Sequence, residues 1–269
     1  MTTWEYPCTG PVDVHVGIAA GTVTVVAEPT DVATVAVTRT GWGAGDRDIA
    51  DDVRVSFTGD MLQVSEQQRI GLRFRNHGFD VLVTIPPGSG CHVSTAAADI
   101  TCRGEVGALD VSSASGNVRS ELVGGPADLT TLSGTILLES GASTVAAKTA
   151  SGKISLASVA GDVTVNSASG DASIGTAGGS VTARTASGRV RIGVVSQGDA
   201  EVSTVSGDIE VGVAPGTGVY LDVSSLSGRV SSDLVPEEQS PGGAALRVRC
   251  RSMSGGVRIT RAVPADHEH

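Results

Sequence analysis

The chain has 269 residues, of which 40% are hydrophobic and 3% aromatic, and its formal charge at pH 7 is −10. A chain of this length and hydrophobicity can bury a substantial core, which excludes a largely disordered protein. The acidic balance argues against a general binder of nucleic acids or anionic membranes, because phosphate contacts depend on clustered lysine and arginine. The 36 glycines and the scarcity of aromatic residues favour thin, repetitive β-architecture.

Apolar and polar residues alternate through the first ninety residues, but without a strict period. Val12, Val14 and Val16 form one such run, and Pro86, which cannot donate to a strand ladder, follows the last one. Alternation of this kind is typical of half-buried strands. We therefore predict an irregular β-meander or sandwich-like region over residues 1–90 that caps the segment after it.

One basic segment, RIGLRFRNHGF, lies inside this region. Its polar side chains alternate with Leu72 and Phe74, and as an interaction patch they would receive an acidic partner or a phosphate group. The same alternation is that of a half-buried strand with its polar face in water, which is the simpler interpretation. The residues of this candidate patch are Arg69, Arg73, Arg75 and His77.

Ser-Gly pairs recur from about His92 to Arg261. Their glycines are first spaced by 18 residues and then by 19, 21 and 27. A second set of positions, including Gly107, Gly125 and Gly161, lies halfway between them and opens the same G-x-V-x-V pattern. The repeat unit is thus nine residues, enough for one strand and a bend. The Ser-Gly glycines are Gly116, Gly134, Gly152, Gly170, Gly188, Gly207, Gly228 and Gly255.

This period predicts an all-β chain whose second part is a β-solenoid of 18-residue coils, each made of two nine-residue halves. Stacking at about 4.8 Å would place equivalent side chains in columns. We predict three parts: a capping region over 1–90, solenoid repeats over 91–262 and a flexible tail over 263–269. The polar stretch that begins at Val235 explains the interval of 27 residues as an insertion.

Four columns follow from the alignment of the coils. Two hold serine and threonine, as at Ser113 and Ser115, and their hydroxyl groups can hydrogen-bond to one another and to the backbone of the bend. Between them lies an apolar column, which we expect the bend to bury. The residue after the glycine, such as Asp171 or Arg189, alternates in charge along the coils, and we interpret this as a device that sets their register.

No catalytic, cofactor or metal site is predicted. The chain lacks a phosphate-binding loop, a zinc-binding HExxH helix and a G-x-S-x-G elbow, and its glycines do not follow the calcium-binding β-roll pattern. The cysteines show no CxxC pairing and are expected as free thiols, with Cys102 and Cys250 in the core. The acidic tail, which ends in Asp266 to His269, is interpreted as a frayed terminus rather than a metal site.

A β-rich opening, a strand that ends in VTIPPGS and iterated T-A-S-G-D/K/R-V/I coils together resemble the bacterial "putative adhesin" domain family. The resemblance covers nearly the whole chain. It implies a β-solenoid domain of unknown biochemical function and supplies no catalytic residues, while the adhesin label implies a surface role.

These observations favour a non-enzymatic scaffold or binding module that presents repetitive polar faces to a protein partner or to itself, without nucleic-acid binding or membrane insertion. The alternative is a carbohydrate-binding or carbohydrate-active β-helix protein, an analogy at the level of fold. Met1 to Pro11 lack the pattern of a secretory signal, so we expect a cytoplasmic location. Surface exposure by an unrecognised route is the other expectation that stays open.

Overall fold

A computed structural model describes residues 1–40, 49–67, 78–234 and 246–262. The chain divides into two compact units, Met1–Leu137 and Leu138–His269. Within the described residues, strands joined by turns and bends are accompanied by one short 3-10 helix, over Ile49–Asp51. The predicted all-β solenoid fold is confirmed.

The first unit contains two long strands, and its remaining strands are short. The long ones are β2 and β7, of 15 and 17 residues. Strand β11 runs past the end of this unit. In chain order the strands are β1 (Thr2–Pro7), β2 (Asp13–Ala27), β3 (Val32–Thr40), β4 (Val53–Thr58), β5 (Met61–Glu66), β6 (Gly78–Ile85), β7 (Gly90–Val106), β8 (Leu109–Ser113), β9 (Val118–Val123), β10 (Ala127–Thr131) and β11 (Ile136–Gly141).

The second unit consists of strands of three to nine residues that alternate between the two halves of successive coils. They are β12 (Val145–Thr149), β13 (Ile154–Val159), β14 (Val163–Ser169), β15 (Ala172–Ala177), β16 (Val181–Ser187), β17 (Val190–Val195), β18 (Gly198–Ser206), β19 (Ile209–Val213), β20 (Val219–Ser225), β21 (Val230–Ser232), β22 (Leu246–Ser254) and β23 (Val257–Arg261).

Parallel pairing between residues 18 positions apart confirms the predicted coil in both units. In the first unit β8 pairs with β10, with Val111 opposite Leu129. In the second unit β14 pairs with β16, with Val163 opposite Val181. In these pairs the offset of 18 residues keeps equivalent side chains adjacent from coil to coil, so side chains of one type form a column.

The opening region contains a complete coil as well as the predicted irregular strands. Strand β2 pairs in parallel with β7, and Val14 lies opposite Cys91. Strands β5 and β6 pair in parallel with β2 as well, and they share its other edge. The antiparallel pairs β1–β3, β3–β6 and β4–β5 complete the region. The domain boundaries proposed at residues 90 and 262 stay predictions.

The apolar column beside the Ser-Gly pairs is exposed, so the expectation that the bend buries it is wrong. Leu132 is 58% exposed and Leu226 is 82% exposed. The strand keeps its alternation through the preceding serine or threonine, which points inward and is buried, as Thr131 is. The next side chain must therefore point outward.

The buried hydroxyl column is only partly satisfied by hydrogen bonds. Thr95 Oγ1 donates to Ser113 Oγ at 3.1 Å, and Thr131 Oγ1 donates to the carbonyl oxygen of Gly116 at 3.3 Å. Among the described residues, four hydroxyl groups of this column have no hydrogen-bond partner, which limits the network that we predicted. They belong to Thr149, Ser167, Thr185 and Thr204.

The Ser-Gly glycines are required by the close approach of neighbouring coils. A Cβ atom on Gly134 would lie 2.1 Å from the carbonyl oxygen of Gly116, and one on Gly170 would lie 1.9 Å from that of Gly152. Neither Gly134 nor Gly170 has a positive φ angle. The constraint is thus steric contact between backbones rather than an unusual conformation at the corner.

The charged column holds coils together through the backbone. Asp171 Oδ1 accepts a hydrogen bond from the backbone N–H of Arg189 at 2.8 Å, one coil further on. The same contact joins Asp99 to the N–H of Asn117 at 2.9 Å. The contacts seen in this column are carboxylate and amide oxygens that accept from backbone N–H groups of the next coil, as Asn117 Oδ1 also does from Thr135. The interpretation of the alternating charges as a register device stays a prediction.

The second unit departs from chain order at its end. Strand β18 pairs with β22, and β22 pairs on its other side with β20. Likewise β19 pairs with β23, and β23 pairs with β21. The coil β22–β23 therefore lies between β18–β19 and β20–β21, although it follows both in sequence.

We predict that Gly134→Ala lowers the free energy of unfolding by about 3 kcal/mol, because the added methyl group forces neighbouring coils apart. Urea denaturation followed by circular dichroism measures this change. Gly10→Ala is the matched control in the same unit, since a Cβ atom there meets nothing within 4 Å. If Gly10→Ala lowered the free energy of unfolding as much as Gly134→Ala, the steric explanation would be contradicted.

Candidate functional site

Four polar side chains converge on the outer face of β2, β7 and β8. Asp13 and His15 lie on β2, His92 on β7 and Asp110 on β8. The parallel register sets His15 opposite His92, and His92 opposite Asp110. Cross-strand partners on one face of a sheet are direct neighbours, so residues 77 and 18 positions apart in sequence meet here.

The carboxylate of Asp13 lies against both imidazoles. Its Oδ2 atom is 3.3 Å from Nε2 of His15, and its Oδ1 atom is 3.4 Å from Nε2 of His92. The two imidazole rings are stacked, with centroids 4.6 Å apart and an angle of 21° between their planes. On the other side of His92, Nδ1 lies 3.6 Å from Oδ2 of Asp110.

Gly90 makes room for this arrangement. It is the cross-strand partner of Asp13, and a Cβ atom on it would lie 3.0 Å from Asp13 Oδ1. Its φ angle is not positive, so the backbone conformation does not require glycine there. The missing side chain lets the Asp13 carboxylate lean across β7 towards His92.

A shallow pocket of about 300 Å³ opens beside the histidines. Gly17 follows His15 on the outer face of β2 and leaves a gap, because a Cβ atom on it would meet little but the carbonyl oxygen of Val64 at 4.0 Å. Ser65 and Ser94 stand on either side of that gap as the cross-strand partners of Gly17. The pocket is open, since the side chains of His15 and His92 are 39% and 41% exposed.

The strands beneath the site are held by a tightly packed core. Val14 and Cys91 are fully buried, and Val16 and Val93 are 2% exposed. Burial raises the pKa of the Cys91 thiol far above its ordinary value, and Cys102 and Asp13 raise it further. Cys91 is therefore a packing residue, and the chemistry of the site belongs to the imidazoles and carboxylates on the outer face.

Imidazole and carboxylate groups in this pattern can bind a metal ion or exchange protons with a bound molecule. One ligand atom from each of Asp13, His15 and His92 lies within 4.8 Å of the other two. The carboxylate side chains of Asp13 and Asp110 are 46% and 60% exposed, so the site is accessible from solvent.

Residues 15–260 match the Toastrack DUF4097 family. The chain belongs to this family. The matched range includes both histidines of the site. The predicted membership in an adhesin-like domain family of unknown function is confirmed.

Three solved structures are similar to this Toastrack domain. A "putative adhesin" from Bacteroides fragilis is 13% identical, with a TM-score of 0.51 and 96% of each chain covered. A "putative adhesin" from Parabacteroides merdae is 11% identical, with a TM-score of 0.41 over 96% of this chain and 95% of the other. A "putative lipid binding protein" from Parabacteroides distasonis is 12% identical, with a TM-score of 0.39 and 96% of each chain covered. The first of these likenesses supports the fold.

A search of curated proteins finds no match for the chain. Among the residues that the structure describes, no helix has the length and apolar character needed to span a bilayer.

The predicted interaction patch, Arg69, Arg73, Arg75 and His77, lies outside the described residues and stays a prediction. Sequence reasoning missed the histidine site because His15 precedes the recognised repeat. The signal that could have found it is the alignment of DVHVGIAAGTVTV with GCHVSTAAADITC. This alignment places His15 over His92 and Asp13 over Gly90.

We predict that a thiol introduced by Ser94→Cys reacts rapidly with Ellman's reagent at pH 8, because Ser94 is exposed beside the pocket. The native thiols should react only after unfolding, since all four are buried and burial raises the pKa of Cys102 and of Cys250 to about 12. The measurement counts modified thiols over time in the variant and in the parent protein. Rapid modification of the parent protein would contradict the burial of Cys91 beneath the site.

Proposed function

We propose that this Toastrack domain is a non-enzymatic, adhesin-like binding module that associates with a second copy of itself through the coil β20–β21. The observation that carries the proposal is the incomplete burial of the inward side chains in this coil. Adhesion requires binding without chemical conversion, and the adhesin name of the Bacteroides fragilis protein belongs to the same class of function.

The inward side chains of β20 are less buried than their neighbours one coil away. Leu221 is paired with Val248 and Val223 with Cys250 in the parallel ladder. Val248 and Cys250 are fully buried, whereas Leu221 and Val223 are only half-buried. A core column that loses burial within one coil lacks an apolar neighbour on its far side.

The backbone of the same coil also has a free edge in the described part of the chain. Strand β20 pairs with β22 and β21 pairs with β23, and the described residues place no other strand against either of them. Free N–H and C=O groups along a strand edge are a template for pairing with another strand. Tyr220 and Val230, which are 58% and 46% exposed, add apolar surface to this edge.

A second copy is the partner whose chemistry fits this edge. The unfilled column continues the repeat's own inward pattern, so the same Val-x-Leu-x-Val segment of another chain supplies side chains of matching size. A two-fold arrangement would set the two β20 strands side by side in antiparallel pairing and cover both edges at once.

We predict that the protein shows concentration-dependent dimerisation in sedimentation equilibrium. Leu221→Lys should weaken the dimer by more than about 100-fold, because association would bury an unpaired charge. Val230→Lys places the same charge at an exposed position of the coil and should also weaken the dimer.

Leu132→Lys is the control, since Leu132 is an exposed apolar residue of the first unit. It should dimerise like the parent protein, and circular dichroism checks that each variant is folded. A parent protein that stays monomeric at all concentrations would overturn the proposal. The proposal would also be overturned if the Leu221→Lys and Val230→Lys variants both dimerised as strongly as the parent protein.

A further inference from the structure

The outer face of the first unit carries a cluster of one carboxylate and two imidazole groups. We infer that Asp13, His15 and His92 bind one divalent transition-metal ion of the zinc type. This inference goes beyond the proposed self-association, since it rests on different residues in a different unit.

Two of the separations between ligand atoms match those around a tetrahedral ion, and all three ligand atoms lie within 4.8 Å of one another. Asp13 Oδ2 lies 3.3 Å from Nε2 of His15, and Asp13 Oδ1 lies 3.4 Å from Nε2 of His92. Zinc binds nitrogen and oxygen ligands at about 2.0–2.2 Å, so two ligands of a tetrahedral ion lie about 3.4 Å apart. The imidazole rings are stacked, so side-chain rotations that unstack them would bring the three ligands onto one ion.

The ligand types select the class of ion. Two imidazoles and one carboxylate suit zinc and its transition-metal neighbours, whereas calcium and magnesium prefer sites built from oxygen atoms. Three protein ligands leave one position of a tetrahedral ion open. His15 and His92 line the pocket beside Gly17, from which a water molecule or a small anionic ligand would complete the coordination.

The scaffold fixes the backbone positions of the three ligand residues before the ion arrives. His15 and His92 are cross-strand partners on β2 and β7, and Asp13 lies two residues before His15 on the same face. The buried Val14 and Cys91 between and beneath them anchor both strands. A site built on strands with a packed core holds its geometry better than a site on a loop.

Asp110 acts as a positioning residue for His92. Its Oδ2 atom lies 3.6 Å from Nδ1 of His92, on the side of the ring away from Asp13. A carboxylate at this place favours a proton on Nδ1 and leaves the lone pair of Nε2 for the metal ion. Gly90 completes the arrangement, because a Cβ atom there would lie 3.0 Å from Asp13 Oδ1 and the carboxylate would have to shift.

The competing interpretation is a set of surface ion pairs between carboxylates and histidines without any metal ion. Such pairs would give similar distances, but they predict neither a fixed stoichiometry of zinc nor a dependence of zinc binding on Gly90. Zinc titration of the metal-free protein therefore distinguishes the two interpretations.

The full chain, freed of metal by dialysis against a chelator, is titrated with zinc chloride in competition with a chromophoric chelator. We expect one zinc ion per chain at this site, and cobalt should give the visible absorption typical of a four-coordinate ion. His15→Ala and His92→Ala should each weaken binding by more than about 100-fold, since outer-shell partners alone change affinity by 10–100-fold. Asp110→Asn should weaken it by about 10-fold or more.

Gly90→Ala tests the steric part of the inference, and it should weaken zinc binding without removing a ligand. The matched control is the double variant His267→Ala with His269→Ala, which removes two other histidines of the chain and should leave this binding unchanged. Thermal unfolding gives a second measurement: zinc should raise the melting temperature of the parent and control proteins and have little effect on His92→Ala.

Thermal unfolding without zinc also shows whether each variant is folded. The inference is overturned if the parent protein does not bind zinc in competition with the chelator. It is equally overturned if the double variant His15→Ala with His92→Ala keeps the parent affinity, or if the control variant loses it.

Discussion

Backbone contact between one coil and the next is the constraint on which the rest of the structure depends. Neighbouring coils approach so closely at the Ser-Gly corners that a Cβ atom on Gly134 would overlap the carbonyl oxygen of Gly116. This contact, together with the parallel ladders, keeps equivalent positions of neighbouring coils opposite each other in each unit, whatever the number of residues between them. The inward columns, the outward columns and the side-chain contacts to backbone N–H groups, such as that of Asp171, all follow from this register.

The candidate metal site is a product of the same register. Two strands that pair in parallel bring His15 opposite His92 at the same step of the coil. An outward column therefore becomes a site when suitable residues fall on neighbouring strands. Here a glycine at position 90 also gives the carboxylate of Asp13 room to reach across.

The period of the repeat could be predicted because glycine, serine and β-branched residues recur at fixed spacing. Whether Leu132 is buried or exposed could not be predicted, because an apolar residue at a bend fits either face of the strand. Only the continued alternation of the strand places its side chain outside. The spatial order of the last coils was hidden for a related reason. Equivalent columns would match equally well whichever coil is placed next to β18–β19.

The histidine site could be predicted in principle but was missed, since it needs the alignment of a coil that lacks the Ser-Gly mark. Ala98 stands where later coils have glycine, and it is paired with Gly21 of the first coil. The Ser-Gly pair that marks the later coils is therefore replaced by Ala20-Gly21 in β2 and by Ala97-Ala98 in β7. Without that alignment, the sequence does not indicate which residues lie opposite a half-exposed polar residue on a neighbouring strand.

The position of β22–β23 between two earlier coils has a consequence for the growing polypeptide. During synthesis on the ribosome, β20–β21 emerges before the strands against which it packs in the finished protein. Residues 219–232 must either stay unpaired until β22–β23 is synthesised, or first pair with β18–β19 and later be displaced by β22–β23. The order in which this unit assembles thus differs from the order in which it is translated.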